Sequence, residues 1–420
     1  MKNHNLISIL FVAISLAVAW AIRGQFGHEQ GAAWAGAIGG SALVIASGRR
    51  DWYQKMLVIA LASAVGWGAG GMISYGQVVG YGRSDDFFNA YYGLVMLFVI
   101  GGLFGLLGGG LVGLVLDSTK EKRVKWGSLM AEMTAGGILT YYFLVEQIGF
   151  KMTPPRSEAW AVILGAGLAM IWHMAREGRN SPLRVAFFAT LGGGLGFSFG
   201  NFLHVVGNVM EIPFNMWNVM EYCIGFMGGM GMAYGVFTSK WPEQEAGHDK
   251  LWVNKSALVF IVVFIPLIVF RESLAFGHML KRLGDIANAE KVASISTSVA
   301  AILLLIMSLW LFYKLKFQGY NKVKAGWFMF SLLLVYTLMS YLVTGILAGN
   351  SPINQHLYLA NIIFLFFLYQ KKLKLIDSGS LEKLPQKWGV VILTTLLFLA
   401  LCAFIAINTH GELPGSNNRF

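Results

Sequence analysis

Long apolar runs separated by short polar ones set the pattern of this chain. Segments near 6–22, 31–47, 56–73, 90–116, 126–145, 159–174, 185–200, 219–238, 255–270, 293–313, 325–347, 355–369 and 388–408 are each close to the length a helix needs to cross hydrocarbon, about 17 to 25 residues. The pattern predicts an all-α, polytopic membrane bundle of about thirteen transmembrane helices. One break stands out. Between the first two runs, residues 20–31 read Trp-Ala-Ile-Arg-Gly-Gln-Phe-Gly-His-Glu-Gln-Gly, which sets Arg23, His28 and Glu29 between apolar segments with almost no polar padding. An arginine at bilayer depth costs about 2.5 to 3.5 kcal/mol on insertion scales, so a charge there has a partner or a task.

Composition supports the membrane reading. With 56% hydrophobic and 13% charged residues in 420, the chain cannot bury its apolar surface in one core and still present a polar exterior. The net charge of +11 would point to nucleic acid in a soluble protein, but its distribution explains it otherwise. Basic residues gather in alternate connections, at Arg49, Arg50 and Lys55, at Lys120, Lys122, Arg123 and Lys125, at Arg176, Arg179 and Arg184, and at Lys314, Lys322 and Lys324. That alternation is the positive-inside pattern, and it predicts a cytoplasmic (inner) membrane protein with its N-terminus in the cytoplasm and its C-terminus outside. No nucleic-acid partner is implied. The run ending in Ala17-Val18-Ala19 could close a cleaved signal, but it continues into the Arg23 motif without a polar break, so a retained first helix is expected.

Four predicted outer connections carry an aromatic residue, a glycine and a hydrogen-bonding side chain: Phe26-Gly27-His28, Tyr75-Gly76-Gln77, Phe199-Gly200-Asn201 and Phe276-Gly277-His278. A shift of 124 positions aligns 68–112 with 192–236 without a gap and superposes Ser74 on Ser198, Met96 on Met220 and Ile100 on Ile224. The alignment predicts a parallel internal repeat of a helix, a broken outer turn and a second helix. Glycines four apart, Gly36 with Gly40, Gly101 with Gly105, Gly225 with Gly229 and Gly231 with Gly235, read as flat packing faces. Those in the turns, Gly24, Gly27, Gly76 and Gly200, read as points where the helix unwinds. Glycine density falls past the basic linker, which divides a glycine-rich eight-helix core, 1–240, from a simpler five-helix portion, 241–420. The second portion opens on an amphipathic stretch in which His278 and Arg282 alternate with Phe276, Met279, Leu280 and Leu283, as expected of a short interfacial helix.

Collected on the predicted outer side, Arg23, Gln25, His28, Glu29, Gln77, Glu146, Asn201, His204, Arg271, Glu272 and His278, with Glu221 one turn deeper, form a constellation suited to substrate binding or coupling. Amides and guanidinium groups bind polar solutes, and Trp20, Trp34, Tyr91, Tyr92 and Trp217 could stack on a ligand or simply form the interfacial belt. His28 with Glu29 reads as a proton-handling pair or as a helix cap whose glutamate neutralises Arg23. No cofactor or metal is implied, since the position four residues after His28 is Ala32. Gly66-Trp67-Gly68-Ala69-Gly70-Gly71 matches a dinucleotide fingerprint only as a bare pattern, with no strand before it. Cys223 and Cys402 read as packing residues. These features predict a secondary transporter of a small polar solute, a sugar or organic anion, with proton coupling. An integral membrane acyl- or glycosyl-transferase with an outward-facing site is the alternative, and a scaffold would leave the intramembrane charges unexplained.

Overall fold

The computed structural model describes residues 3–154, 157–243, 251–284, 286, 288–315, 319–371, 373 and 387–420, and among them there is no strand. In chain order the helices are α1 (Asn3–Arg23), α2 (His28–Ser47), α3 (Arg50–Gln54), α4 (Met56–Gly71), α5 (Gly76–Tyr81), α6 (Phe87–Asp117), α7 (Trp126–Tyr141), α8 (Glu158–Arg176), α9 (Asn180–Val209), α10 (Met216–Phe237), α11 (Leu251–Val259), α12 (Ile265–Ser273), α13 (Phe276–Leu283), α14 (Ala289–Leu315), α15 (Lys322–Thr344), α16 (Ile353–Gln370) and α17 (Trp388–Ile407). Single π-helical turns follow α7 at Tyr142–Gln147 and join α11 to α12 at Phe260–Phe264.

Eight stretches among the described residues are long and apolar enough to cross a membrane: Leu6–Arg23, Phe87–Asp117, Glu158–Arg176, Asn180–Val209, Trp252–Ser273, Ala289–Leu315, Lys322–Ala348 and Trp388–Ile407. The chain is a multi-pass helical membrane protein. Eight is fewer than the thirteen the sequence pattern predicts. The other five segments are also helical, as α2, α4, α7, α10 and α16, but each is too short or too diluted with glycine and polar residues to qualify by itself. For α2 the reason is visible, because it is buried almost without interruption from Gly31 to Ser47. A helix surrounded by protein needs small residues for close packing more than it needs oily ones.

The chain forms two compact units, each discontinuous in sequence, 1–68 with 243–376 and 69–242 with 377–420. The predicted boundary at 240 therefore lies near one of several crossings between them. In the first unit α1 and α2 form an antiparallel pair in which the Gly39 position abuts Leu16. The glycines Gly36 and Gly40 let α2 lie against the backbone of α4 at Ser63 and Ala60. α15 starts at Asn321, whose side chain accepts a bond from Lys324 N at 3.0 Å, and stops at Gly345, which supplies the left-handed φ of 83° that its C-cap requires. The predicted short amphipathic helix is present as α13, with Met279 and Leu283 buried and His278 exposed.

In the second unit α9 lies between α6 and α10, and glycine makes both contacts close. A Cβ at Gly101 or Gly105 would strike the α9 carbonyls of Gly193 and Ala189, and one at Gly192 or Gly196 would strike those of Met227 and Cys223 on α10. Gly231 and Gly235 repeat the contact from the α10 side. These glycines pack helices, as their spacing predicts. Gly200 does not unwind the chain: it lies inside α9, where Cβ would be 2.9 Å from Met220 O and 3.0 Å from Cys223 Cβ. α9 runs on to Val209, so Asn201 and His204 are helical residues and not loop residues. Gly76, by contrast, does open a new helix, α5, after a break. Cys402 packs with Ala90, Leu94 and Ala403 where α17 meets α6.

Candidate functional site

The second unit concentrates its buried polar groups around the C-terminal half of α9. Phe197, Asn201 and His204 follow at four- and three-residue spacing and so share one face of that helix. The turn after α5 brings Arg83 to this face. Its Nη2 lies 2.6 Å from His204 Nε2, and its guanidinium stacks 5.1 Å from the centre of the Trp217 ring, which in turn sits 4.7 Å from the imidazole. Arginine has only donors, so Nε2 accepts and the neutral imidazole carries its proton on Nδ1. Burial lowers the Arg83 guanidinium from its ordinary value. It is nonetheless the fixed positive charge of the cluster.

Two turns deeper, Tyr75 OH donates to Glu221 Oε1 at 2.9 Å, and the Tyr75 ring meets Phe197 edge to face at 4.9 Å. Asn201 lies between these two groups on the helix face, and it is fully buried. Neither its Oδ1 nor its Nδ2 has a hydrogen-bond partner among the described residues. It rests against Gly82, whose missing side chain leaves room for the amide, and Gly82 in turn fits against α6 because Gly93 has no Cβ to strike its backbone. An amide shut away from water with both ends unsatisfied costs about 1 to 3 kcal/mol, which marks it as a group kept for something other than stability.

Local sequence explains how the frame is held. Asp86 caps α6 by accepting from Asn89 N at 2.9 Å, and Asn215 caps α10 by accepting from Asn218 N at 3.3 Å. Residues 411–420 fold back over the same end. Asn417 N donates to Gly80 O at 3.0 Å, Ser84 Oγ to Asn418 Oδ1 at 3.1 Å, Arg419 N to Asn89 Oδ1 at 2.6 Å, and Arg83 Nη1 to Pro414 O at 3.2 Å.

The first unit has its own polar cluster at the α1–α2 turn. Arg23 is 1% exposed, stacks 4.8 Å from the Trp20 ring and has its Nη2 3.3 Å from His28 Nδ1. Tyr336 is sandwiched between Phe26 and Trp34, with ring centres 5.0 and 4.6 Å away, and donates to Gly31 O at 3.0 Å. Gln25 Oε1 accepts from Ser340 Oγ at 2.6 Å, and Gln355 Nε2 donates to Ser340 Oγ at 3.0 Å and to Thr344 Oγ1 at 2.8 Å.

The predicted constellation thus falls into separate groups. Asn201, His204 and Glu221 come together in the second unit, while Gln77 is exposed on α5 and Glu146 is exposed on the π-turn, where Tyr141 donates to it. Arg23, Gln25 and His28 come together in the first unit. Glu29 is exposed in the first turn of α2 and makes no ion pair with Arg23 among the described residues, so the neutralising cap is not formed. Arg271 and Glu272 are a surface pair, 82% and 47% exposed with 3.7 Å between them, and His278 is exposed on α13. An exposed pair of this kind contributes little. Among the described residues no group of three or more His, Cys, Asp or Glu side chains is placed to hold a metal ion. Sequence reasoning left Tyr336, Ser340, Thr344 and Gln355 out of the candidate set. Their signal was a polar stripe at four-residue spacing, 336, 340 and 344, within an otherwise apolar helix.

The sequence matches no protein-family model, and comparisons with curated proteins and solved structures give no match.

Proposed function

We propose that this protein is a secondary transporter of a small polar solute, with an organic anion favoured over a sugar, and that the solute binds at Asn201, Arg83 and His204 in the second unit. What carries the reading is the Asn201 amide, buried and unsatisfied at both ends beside a fixed cation. A ligand carboxylate or hydroxyl would satisfy the amide and pair with Arg83, and Glu221, linked to Tyr75, is the carboxylate best placed for proton coupling. The proposal includes the cytoplasmic membrane, an N-terminus inside, a C-terminus outside and the parallel relation of 68–112 to 192–236. It also includes thirteen crossings. Support comes from the antiparallel pairing of each less apolar helix with a neighbour, α10 with α9, α7 with α8, α2 with α1, α4 with α2, and α16 with α15.

The test is uptake of labelled organic anions and sugars into proteoliposomes. Arg83→Gln should lower anion uptake by about ten- to a hundredfold, the loss expected for a hydrogen bond to a charged group. Asn201→Leu should abolish uptake while thermal stability holds or rises, because it removes an unsatisfied buried amide. A stabilised or neutral Asn201→Leu protein that transports normally would remove the site, and uptake of sugars alone would overturn the preference for anions.

A further inference from the structure

At one end of the first unit α3, the start of α15 and the end of α16 come together. The short helix α3 follows the left-handed Gly48, and Gln54 Nε2 donates to Tyr320 O at 2.9 Å. In the first turn of α15, Lys322 Nζ donates to Tyr369 O at 2.7 Å in the last turn of α16. Two hollows open here, and Lys322 lines both. One, of 530 Å³, is lined by Arg50, Gln54 and Asn321 beside Ile45, Tyr53 and Leu373, and so sets positive charge among mixed polar and apolar walls. The other, of 830 Å³, follows α15 and α16 past Val323, Phe330, Leu334, Ile363 and Phe366, and so is apolar along its length.

Shape and charge together choose the occupant. From Lys322 to Leu334 the groove follows α15 for about 18 Å at 1.5 Å per residue, close to the hydrocarbon depth of one leaflet, about 15 Å. Lys322 lies at the polar end of the groove, its Nζ 2.7 Å from Tyr369 O and 3.4 Å from Lys371 O with a third proton to donate, and the exposed Arg50 lines the adjoining hollow that Lys322 shares. Lys314 lies beside the groove, 4.4 and 4.8 Å from the Trp310 and Trp327 rings, an aromatic pair of the kind that marks headgroup level. The neighbouring acid, Asp51, is engaged by Arg49. A free anion would pair with the cations and leave the groove without a function, and a zwitterionic lipid, whose phosphate charge is cancelled by its own headgroup cation, would fill the groove and leave the net positive charge of this end unbalanced.

We infer that this end of the first unit binds one anionic phospholipid, with its phosphate between Arg50 and Lys322 and an acyl chain along the α15–α16 groove. Basic hollows between membrane helices hold anionic headgroups by the same electrostatics. The site is separate from the solute site in the second unit and does not depend on it.

Native mass spectrometry of the full chain, released from detergent containing phosphatidylglycerol or phosphatidylcholine of equal chain length, tests this. One phosphatidylglycerol should be retained in preference to phosphatidylcholine. Arg50→Gln and Lys322→Gln should each reduce that retention about fivefold, and the pair should remove the preference. Arg50 is exposed and makes no side-chain hydrogen bond or ion pair among the described residues, so its variant reads the site even if Lys322→Gln loosens α15 from α16. Equal retention of the two lipids, or retention indifferent to Arg50→Gln, would overturn the inference. So would displacement of phosphatidylglycerol by millimolar inorganic phosphate, which would identify a free-anion site.

Discussion

Tyr53 lies on α3 and is only 6% exposed. Burial, reinforced by the nearby Tyr369, pushes its phenol from 10.0 up to about 12. The folded protein therefore holds a proton that the unfolded chain gives up near pH 10. The stabilisation is complete below pH 10 and is lost as pH rises from 10 to 12, on the order of 2 to 3 kcal/mol in all. Unfolding of the wild type and of Tyr53→Phe, followed from pH 8 to 12, should show the wild type losing ground to the variant only above pH 10. A constant difference across the range would refute the assignment. Single residues were unevenly legible in the sequence. Asn201 and His204 share one face of α9, whereas the sequence reading set them in an outer connection because neighbouring Gly200 suggested an unwound tip. Glycine at a helix crossing and glycine at a helix break look alike in one sequence, and only the presence of Met220 and Cys223 against it separates them. For Glu29 the sequence left two readings open, and the structure disfavours only the ion pair with Arg23, because proximity in sequence does not decide which way a side chain leaves the start of a helix.

At the scale of elements, the glycine faces make predictions that can be ranked. A Cβ at Gly105 would run into the Ala189 carbonyl, which is backbone and cannot step aside, whereas one at Gly127 meets nothing within 4 Å. Gly105→Ala should therefore force α6 from α9 and cost about 1 to 3 kcal/mol, the range for overpacking. Gly127→Ala should be neutral or stabilise by about 0.5 to 1 kcal/mol through helix propensity. Thermal unfolding of both variants in detergent decides it, and equal effects would mean that α6 and α9 are not in close contact. The existence of the helices was legible because hydrophobic runs of membrane length have few other solutions in lipid. Which of them face lipid was not. Of the apolar windows in α1 and α6, 78% is buried, against 22% in α14 and α17, yet all four read as uniformly apolar runs. Membrane helices lack the polar face that reports burial in soluble proteins, so the inner helices reveal themselves only by trading oil for glycine.

For the whole molecule, thirteen crossings put the chain's ends on opposite sides of the membrane and eight put them on the same side, so the proposed orientation turns on whether the five less apolar helices cross. The packing of α10 argues that it does. Its contacts with α9 pair Gly235 with Val185, Gly231 with Phe188, Cys223 with Gly196 and Met216 with Gly207, a steady antiparallel register along a helix that is itself long and apolar enough to cross. A partner in such register covers the same depth, and α10, at 22 residues, is about 33 Å long. The same holds for α2, 20 residues long and about 30 Å, paired with α1 from Gly31 and Arg23 to Gly39 and Leu16. The second unit adds a check on sidedness. Residues 411–420 bond to Gly80, Ser84 and Asn89, and Arg419 Nη1 to Lys151 O, so three segments assigned outside by charge alone do meet at one end. Arg179 joins Asp117 to the carbonyls of Lys122 and Arg123, all assigned inside. With Cys223 and Cys402 replaced, single cysteines at exposed Gly24, Arg50, Lys120 and Glu412 report the outcome in intact cells. A membrane-impermeant maleimide should label Gly24→Cys and Glu412→Cys and spare Arg50→Cys and Lys120→Cys until the cells are opened. Labelling of Gly24→Cys together with Arg50→Cys would mean that α2 does not cross, and protection of Glu412→Cys would reverse the orientation on which an outward-facing solute site depends.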